Sequence, residues 1–411
     1  MRFSLKKLGP GLLFAGAAIG VSHLVQSTRA GADYGFGLLW ALLLINLIKY
    51  PFFQLGPRYA SATGKSLLFG YLQLHKNVLI AYFILTLLTM FTIQTAVTIV
   101  TAGLAIQLFG MSTDIAIWSV VITILCAVIL LIGRYQFLDK TMKVIITILT
   151  LSTVFAVFFA FRENFQSQGT GSGNDLLPIL PTDGVGVAFL IAFMGWMPAP
   201  LDISVWHSLW SLEKGKQQGS NAVKIALFDF NIGYIGTVFL GICFVTLGAL
   251  VMHNSGVTFS SSGGVFAGQL IDMYTTSLGD WAAVFVGIAA FTTMFSTTLT
   301  TLDASPRAMA KTAELLDMQS IVKKYNLWLL ILVLGTSVIL FFFISEMGAL
   351  VRLATILSFL TAPFYAIFNY KAYQNAGIQG ENKLSKAMIV LSYIGIAFLF
   401  GFSLWYIISL L

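Results

Sequence analysis

The chain has 411 residues, 58% of them hydrophobic and only 9% charged, with a formal net charge of +7. A soluble domain carries about 25% charged residues, so most of this surface does not meet water, and a soluble fold is excluded. Long apolar runs recur from end to end, each sufficient to cross a hydrocarbon core of ~30 Å as a helix, whereas the ~10-residue alternation of a membrane β-barrel is missing.

The predicted fold is all-α and polytopic, with eleven spans at about 9–28, 36–56, 78–108, 113–133, 141–161, 185–211, 224–252, 278–302, 326–345, 348–370 and 387–410. The first opens on Gly9-Pro10-Gly11 and carries Gly16 and Gly20, then Ser22, His23, Gln26 and Ser27. The two glycines alone read as a packing face for another helix. Four polar side chains at that depth need a cavity or one another, so the helix is expected to be interrupted at Gly20. His23 is then either a hydrogen-bonded core histidine or a group that touches substrate or a proton. The second span holds Lys49, expected to snorkel to the inner interface. The third contains no acid between Asn77 and Gly110.

The sixth span is predicted to break outright. Pro198 and Pro200 both lack an N–H, and each disfavours helix in the residue before it. Carbonyls freed near Gly195–Ala199 must find partners in protein or in a wet cavity, and a cation is one such partner. Asp202 follows the break, the only acid in the helical pattern from Val185 to Leu212. It reads as a cation ligand or proton carrier, or as the N-cap of the second half-helix. His207, five residues on, either continues a polar path towards the cytoplasm or is a buried hydrogen-bonded histidine. Asp229 and Asn231 open the seventh span. Asp303 closes the eighth after the Thr/Ser-rich stretch Thr292–Thr301, whose hydroxyls are expected to bond their own helix. Thr355 and Ser358 precede Pro363 in the tenth. Cys126 and Cys243 lie in apolar runs and read as core.

With the N-terminus in the cytoplasm, 19 of the 23 basic residues fall on inner segments, a strong positive-inside bias. It places the protein in the plasma (inner) membrane with the C-terminus outside. The basic residues then face the lipid bilayer rather than nucleic acid. The two irregular helices stand five spans apart, and an odd-numbered repeat inverts its orientation. The chain therefore divides into repeats at 1–161 and 185–370, an outer loop at 162–184, and a loop with an extra helix at 371–411, a plan that transporters use. Nothing resembles a nucleophile with its base, a zinc motif or a phosphate loop, so no enzyme is expected.

Several segments resemble the Nramp family of divalent-metal transporters: Gly9-Pro10-Gly11, then Ala30-Gly31-Ala32-Asp33-Tyr34-Gly35 with Leu38-Leu39-Trp40, Ala62-Thr63-Gly64-Lys65, and His207-Ser208. The resemblance implies a LeuT-type fold of two inverted five-helix repeats, with helices one and six broken. Helices one and six are then expected to rock against helices three, four, eight and nine. It also implies divalent-metal transport by alternating access, with Mn²⁺, Fe²⁺ or Mg²⁺ as cargo, possible proton symport, and no cofactor beyond the transported ion.

The family's first break carries Asp-Pro-Gly-Asn, whose Asp and Asn bind metal; ungapped counting puts Gly20 and His23 there. Its sixth helix carries Met-Pro-His-Asn. Anchoring on Met197-Pro198 keeps that Met, while anchoring on His207-Ser208 puts Pro200 in its place. The substrate-binding set implied is Gly20, Ser22, His23, Met197, Ala199, Asp202 and Thr355, with His23, Asp202 and Met197 as metal ligands and His23, Asp202 and His207 as a proton path. The loss of the family Asp at Gly20 points to a second reading, a transporter on the same fold that carries an amino acid or other small organic solute.

Overall fold

Within hydrocarbon there is no water to bond a backbone N–H or C=O, so each must find its partner inside the protein, and a helix supplies it within its own segment. The structure, a computed structural model, describes residues 9–110, 114–167, 177–215, 222–253, 260, 263–279, 282–343 and 347–409, and among them every regular element is a helix. The basic residues Arg2, Lys6, Lys7 and Lys216, and the stretches at 168–174 and 254–259 expected on the outer side, lie outside the described residues.

The helices run α1 Pro10–Ala18, α2 Ser22–Tyr34, α3 Leu39–Thr63, α4 Leu67–Leu74, α5 Lys76–Phe109, α6 Ile115–Ser167, α7 Gly184–Trp196, α8 Ile203–Gly215, α9 Ala222–Leu247, α10 Gly263–Leu278, α11 Ala282–Leu315, α12 Tyr325–Phe343, α13 Met347–Asn375 and α14 Lys386–Ser409. Eight segments of the described residues are long and apolar enough to span, two of them within α6, and α1–α2 makes a ninth with a 47° bend. The two other predicted spans, 185–211 and 278–302, correspond to the α7–α8 pair and to the Thr-rich α11.

Burial separates inner helices from outer ones. The apolar windows of α3 and α5 are 67% and 61% buried, whereas those of α6, α12 and α14 are 22–28% buried and turn residues such as Leu131, Phe158, Phe342 and Leu404 outward. Two groups of helices result. The broken pairs α1–α2 and α7–α8 pack with α3 and α9; α5, α6, α11 and α12 pack with one another.

Helix α9 and the π-helical turn that continues it, Gly248–Met252, lie against both halves of the first broken helix, at one glycine for each half. A methyl group on Gly233 would sit 2.1 Å from the Gly11 carbonyl oxygen, and one on Gly248 would sit 2.1 Å from that of Thr28. Small residues at membrane-helix contacts allow this approach of backbones. The start of α1 is tied as well: Asp229 of α9 accepts from the Gly9 and Gly11 amides at 2.9 and 2.8 Å, which answers two unpaired donors at a helix start.

Gly248→Leu must push α2 off α9, and overpacking of this kind costs about 1–3 kcal/mol. It is expected to lower the thermal unfolding midpoint of the purified protein. Gly236→Ala, which meets nothing within 4 Å, leaves the midpoint unchanged.

Candidate functional site

The second broken helix is built by its prolines. Helix α7 starts on Asp183, whose carboxylate accepts the Gly186 amide at 2.9 Å, and stops at Trp196. The residue four beyond Met194 is Pro198, which has no N–H to return; Pro200 stands in the same relation to Trp196. The chain resumes helix at Ile203, with the Asp202 carbonyl accepting from Val205 and Trp206 at 2.9 and 3.4 Å.

Four freed carbonyls converge on one atom. Lys49 Nζ donates to the oxygens of Met194, Gly195 and Met197 at 2.9, 2.7 and 3.0 Å, with that of Ala199 at 3.3 Å. Lys49 is fully buried, which corrects the expectation that it snorkels to the interface. The reason is local. Helix α3 packs across α8 and also touches α7, so the lysine stem reaches the break, and four desolvated acceptors hold the ammonium there in place of water.

At the first break, α1 ends at Ala18, Ile19 leaves the helix at φ −80°, ψ 79°, and Ser22–Ser27 wind as a π-helix. Its freed carbonyls also meet a donor from another helix. Thr297 Oγ1 of α11 lies 2.9 Å from Gly16 O and 3.2 Å from Ile19 O, as well as 3.1 Å from Thr293 O of its own helix. Gly20 permits this, since a methyl group there would sit 2.7 Å from Thr297 Cγ2. Between the breaks is a cavity of about 30 Å³ whose lining includes Val21, Ser22, Val97, Trp196, Trp206 and Thr301.

Asp202 is buried at the head of α8, and its Oδ1 has no hydrogen-bond partner among the described residues. Lys49, Tyr71, Tyr82 and Tyr365 lie within its electrostatic reach. Tyr82 Oη, Thr86 Oγ1 and Trp206 Nε1 are likewise buried, with Tyr82 next to both Thr86 and Trp206. Below them His207 stacks on Phe14 at 5.7 Å between centroids, with both ring nitrogens unpartnered.

The family model described as natural resistance-associated macrophage protein-like matches residues 11–409. The chain belongs to the Nramp family. An uncharacterised protein of Pasteurella multocida is 34% identical over 402 residues, covering 97% of this chain and 91% of its own. Among solved structures, a manganese transporter of Eremococcus coleocola superposes with a TM-score of 0.65 at 14% identity, over 98% of this chain and 94% of that one. The nucleobase-cation symporter Mhp1 gives 0.59 at 15% identity over 98% and 92%. MhsT, solved with L-phenylalanine, gives 0.60 at 14% over 96% and 98%. This Nramp chain is thus an integral membrane transporter with the LeuT-type fold.

The residues singled out from its sequence fall at several distinct points. Gly20 faces Thr297. Ser22 Oγ bonds Ala18 O and His23 Nδ1, and it lines the cavity. His23 lies 3.1 Å from Ala18 O through Nδ1 and 2.9 Å from Thr237 O through Nε2, so both ring nitrogens are engaged and the ring is turned to α9. Met197 takes Ser27 Oγ on its sulfur at 3.6 Å, while its carbonyl and that of Ala199 face Lys49. Thr355 hydrogen-bonds Arg352 O, and its own carbonyl lies against Gly195. No group of three or more His, Cys, Asp or Glu suited to a metal occurs among the described residues.

Lys49, Thr297, Tyr82 and Trp206 are what sequence reasoning missed. For Lys49 a signal existed: it is the one charge in a span that contributes a long buried helix. The Thr-rich stretch does bond its own turns, as expected, but it also bonds across: Thr301 to Gln94 Oε1 and Thr298 to Thr101, each at 2.7 Å.

Restoring the family carboxylate as Gly20→Asp is expected to destabilise the protein, because Thr297 fills the space. Thr297→Gly in the same chain recovers part of that loss. Unfolding midpoints of the two single variants and the double variant measure this as a coupling between neighbours.

Proposed function

We propose that this Nramp chain is a secondary transporter, not an enzyme, which moves a divalent metal cation across the plasma membrane by alternating access. Its N-terminus is cytoplasmic and its C-terminus outside. The observation that carries the cation reading is Asp202: a buried carboxylate with a free oxygen, placed where the sixth membrane helix resumes. The groups around it, phenol and hydroxyl oxygens, are hard donors, which suit Mg²⁺ or Mn²⁺ better than a soft ion. The manganese transporter with the same fold supports the assignment. The broken pairs α1–α2 and α7–α8, grouped with α3 and α9, are the elements that move against α5, α6, α11 and α12. Proton movement is supported by Asp202 and His207, whose free polar atoms lead inward along α8.

A second reading has one observation in its favour. The cavity between the breaks is walled chiefly by Ala, Val, Ile and Trp, a lining suited to an organic group rather than a bare ion. At about 30 Å³ the cavity has room for one or two waters, so a small solute requires it to widen and would lie with its polar end towards Ser22 and Thr301.

The test is uptake by the purified protein in liposomes with a trapped metal-sensitive fluorophore, comparing Mn²⁺, Mg²⁺ and Ca²⁺. Saturable Mn²⁺ or Mg²⁺ entry is expected. Asp202→Asn is expected to reduce it by at least ~10-fold, as loss of a charged ligand predicts. Entry that persists at unchanged affinity in Asp202→Asn removes that residue from the site. No entry of any of the three ions by folded protein transfers the reading to organic solutes, tested next by competition with an amino-acid panel.

A further inference from the structure

We infer that the carbonyl ring at the break of the sixth membrane helix is a binding site for a primary ammonium, and that Lys49 is its built-in occupant, standing where such a break would otherwise recruit a free ion. The ring consists of the Met194, Gly195, Met197 and Ala199 oxygens, 2.7–3.3 Å from Nζ. No carboxylate lies within ion-pair distance of Lys49 among the described residues. Its charge is therefore held by backbone dipoles, as an ion is held in a filter, and not by a salt bridge.

Three observations favour an ammonium in this ring over a divalent metal. The distances match N–H···O hydrogen bonds, about 2.7–3.2 Å, and exceed the ~2.0–2.1 Å of Mg²⁺ and ~2.3–2.6 Å of Ca²⁺. An ammonium has three protons to give, and three of the contacts are at 3.0 Å or less, with Ala199 the longer fourth. Lys49 is itself fully buried, so no solvated lysine competes with the bound arrangement.

Two consequences follow. The cargo, metal or organic, meets the Asp202 side of the break and not these carbonyls. And since α3 packs on α8, the ammonium travels with its ring and no cation is released from it during the cycle. The inference does not depend on what is carried, so failure of metal uptake leaves it standing.

The experiment is chemical rescue of the full-length protein, read as the thermal unfolding midpoint. Lys49→Ala empties the ring and is expected to lower the midpoint on the order of 10 °C, the size of effect given by a buried polar network losing a charged partner. Propyl- or butylammonium is expected to raise it again with a saturable dose dependence. The corresponding alcohols and Mg²⁺ are expected to do nothing, and wild type is expected not to respond to the amines. Lys49→Met, close in length and uncharged, is the second variant should Lys49→Ala fail to accumulate. Its midpoint must also fall, since it fills the space and leaves the four carbonyls without a donor. The inference is overturned if Lys49→Met is as stable as wild type, if folded Lys49→Ala gains nothing from the amines, or if alcohols rescue it equally.

Discussion

A helix broken inside a membrane releases carbonyl oxygens that water cannot reach, and the rest of this structure follows from how they are answered. At the sixth membrane helix the answer is an ammonium on α3; at the first it is a hydroxyl on α11. Each donor comes from a different helix, so each break is also a joint. Lys49 binds α3 to the α7–α8 pair, and Thr297 binds α11 to α1. An unmet carbonyl in such surroundings costs several kcal/mol, so each break needs a donor, and these two contacts supply one at each.

The two joints differ in what they connect. Helix α3 packs with α8 and α9 and belongs to the same group as both broken pairs, so the lysine contact lies within one body. Helix α11 packs with α5, α6 and α12, so the threonine contact lies between bodies. A sliding motion of one group past the other leaves Lys49 in place and must exchange the Thr297 bonds. A neutral hydroxyl bond of about 1 kcal/mol is easily exchanged; a desolvated ammonium with four carbonyls is not. The strong interaction sits where rigidity is needed and the weak one where movement is needed.

Much of this was legible in the sequence. Pro198 and Pro200 dictate a break through covalent geometry alone, and the polar run after Gly20 marked the other, because both effects act within one segment. The membrane class and the family were equally plain from composition and from motifs such as Gly9-Pro10-Gly11. What was not legible depended on helix rotation. Lys49 lies eleven residues into α3, and whether its stem runs to the interface or to the helix-six break is decided by packing across α8, which no local pattern encodes. The same holds for His23. Its neighbours in sequence suggested a shared site with Asp202, yet the π-helical winding of Ser22–Ser27 turns the ring to Thr237 on α9. Thr297 was hidden differently: within a Thr-rich helix nothing separates the hydroxyl that bonds a neighbour from those that bond their own turn.

Gly20 and Lys49 are best understood together. At the position where the resemblance places a metal-binding aspartate, glycine removes a negative charge from the first break and lets Thr297 close on it. At the other break, lysine adds a positive charge and closes the carbonyls to a free ion. Both changes move the centre in the same electrostatic direction, away from holding a cation between the two breaks. Among the described residues Asp202 is the buried carboxylate at the breaks, and it stands on the far side of the sixth-helix break from α7, beside Tyr82 and Trp206. On the proposed function, a cation carried by the protein is met at Asp202. The space between the breaks, lined by Val21, Val97, Trp196 and Trp206, is left with chemistry suited to apolar groups. Both features are consequences of answering the backbone from within.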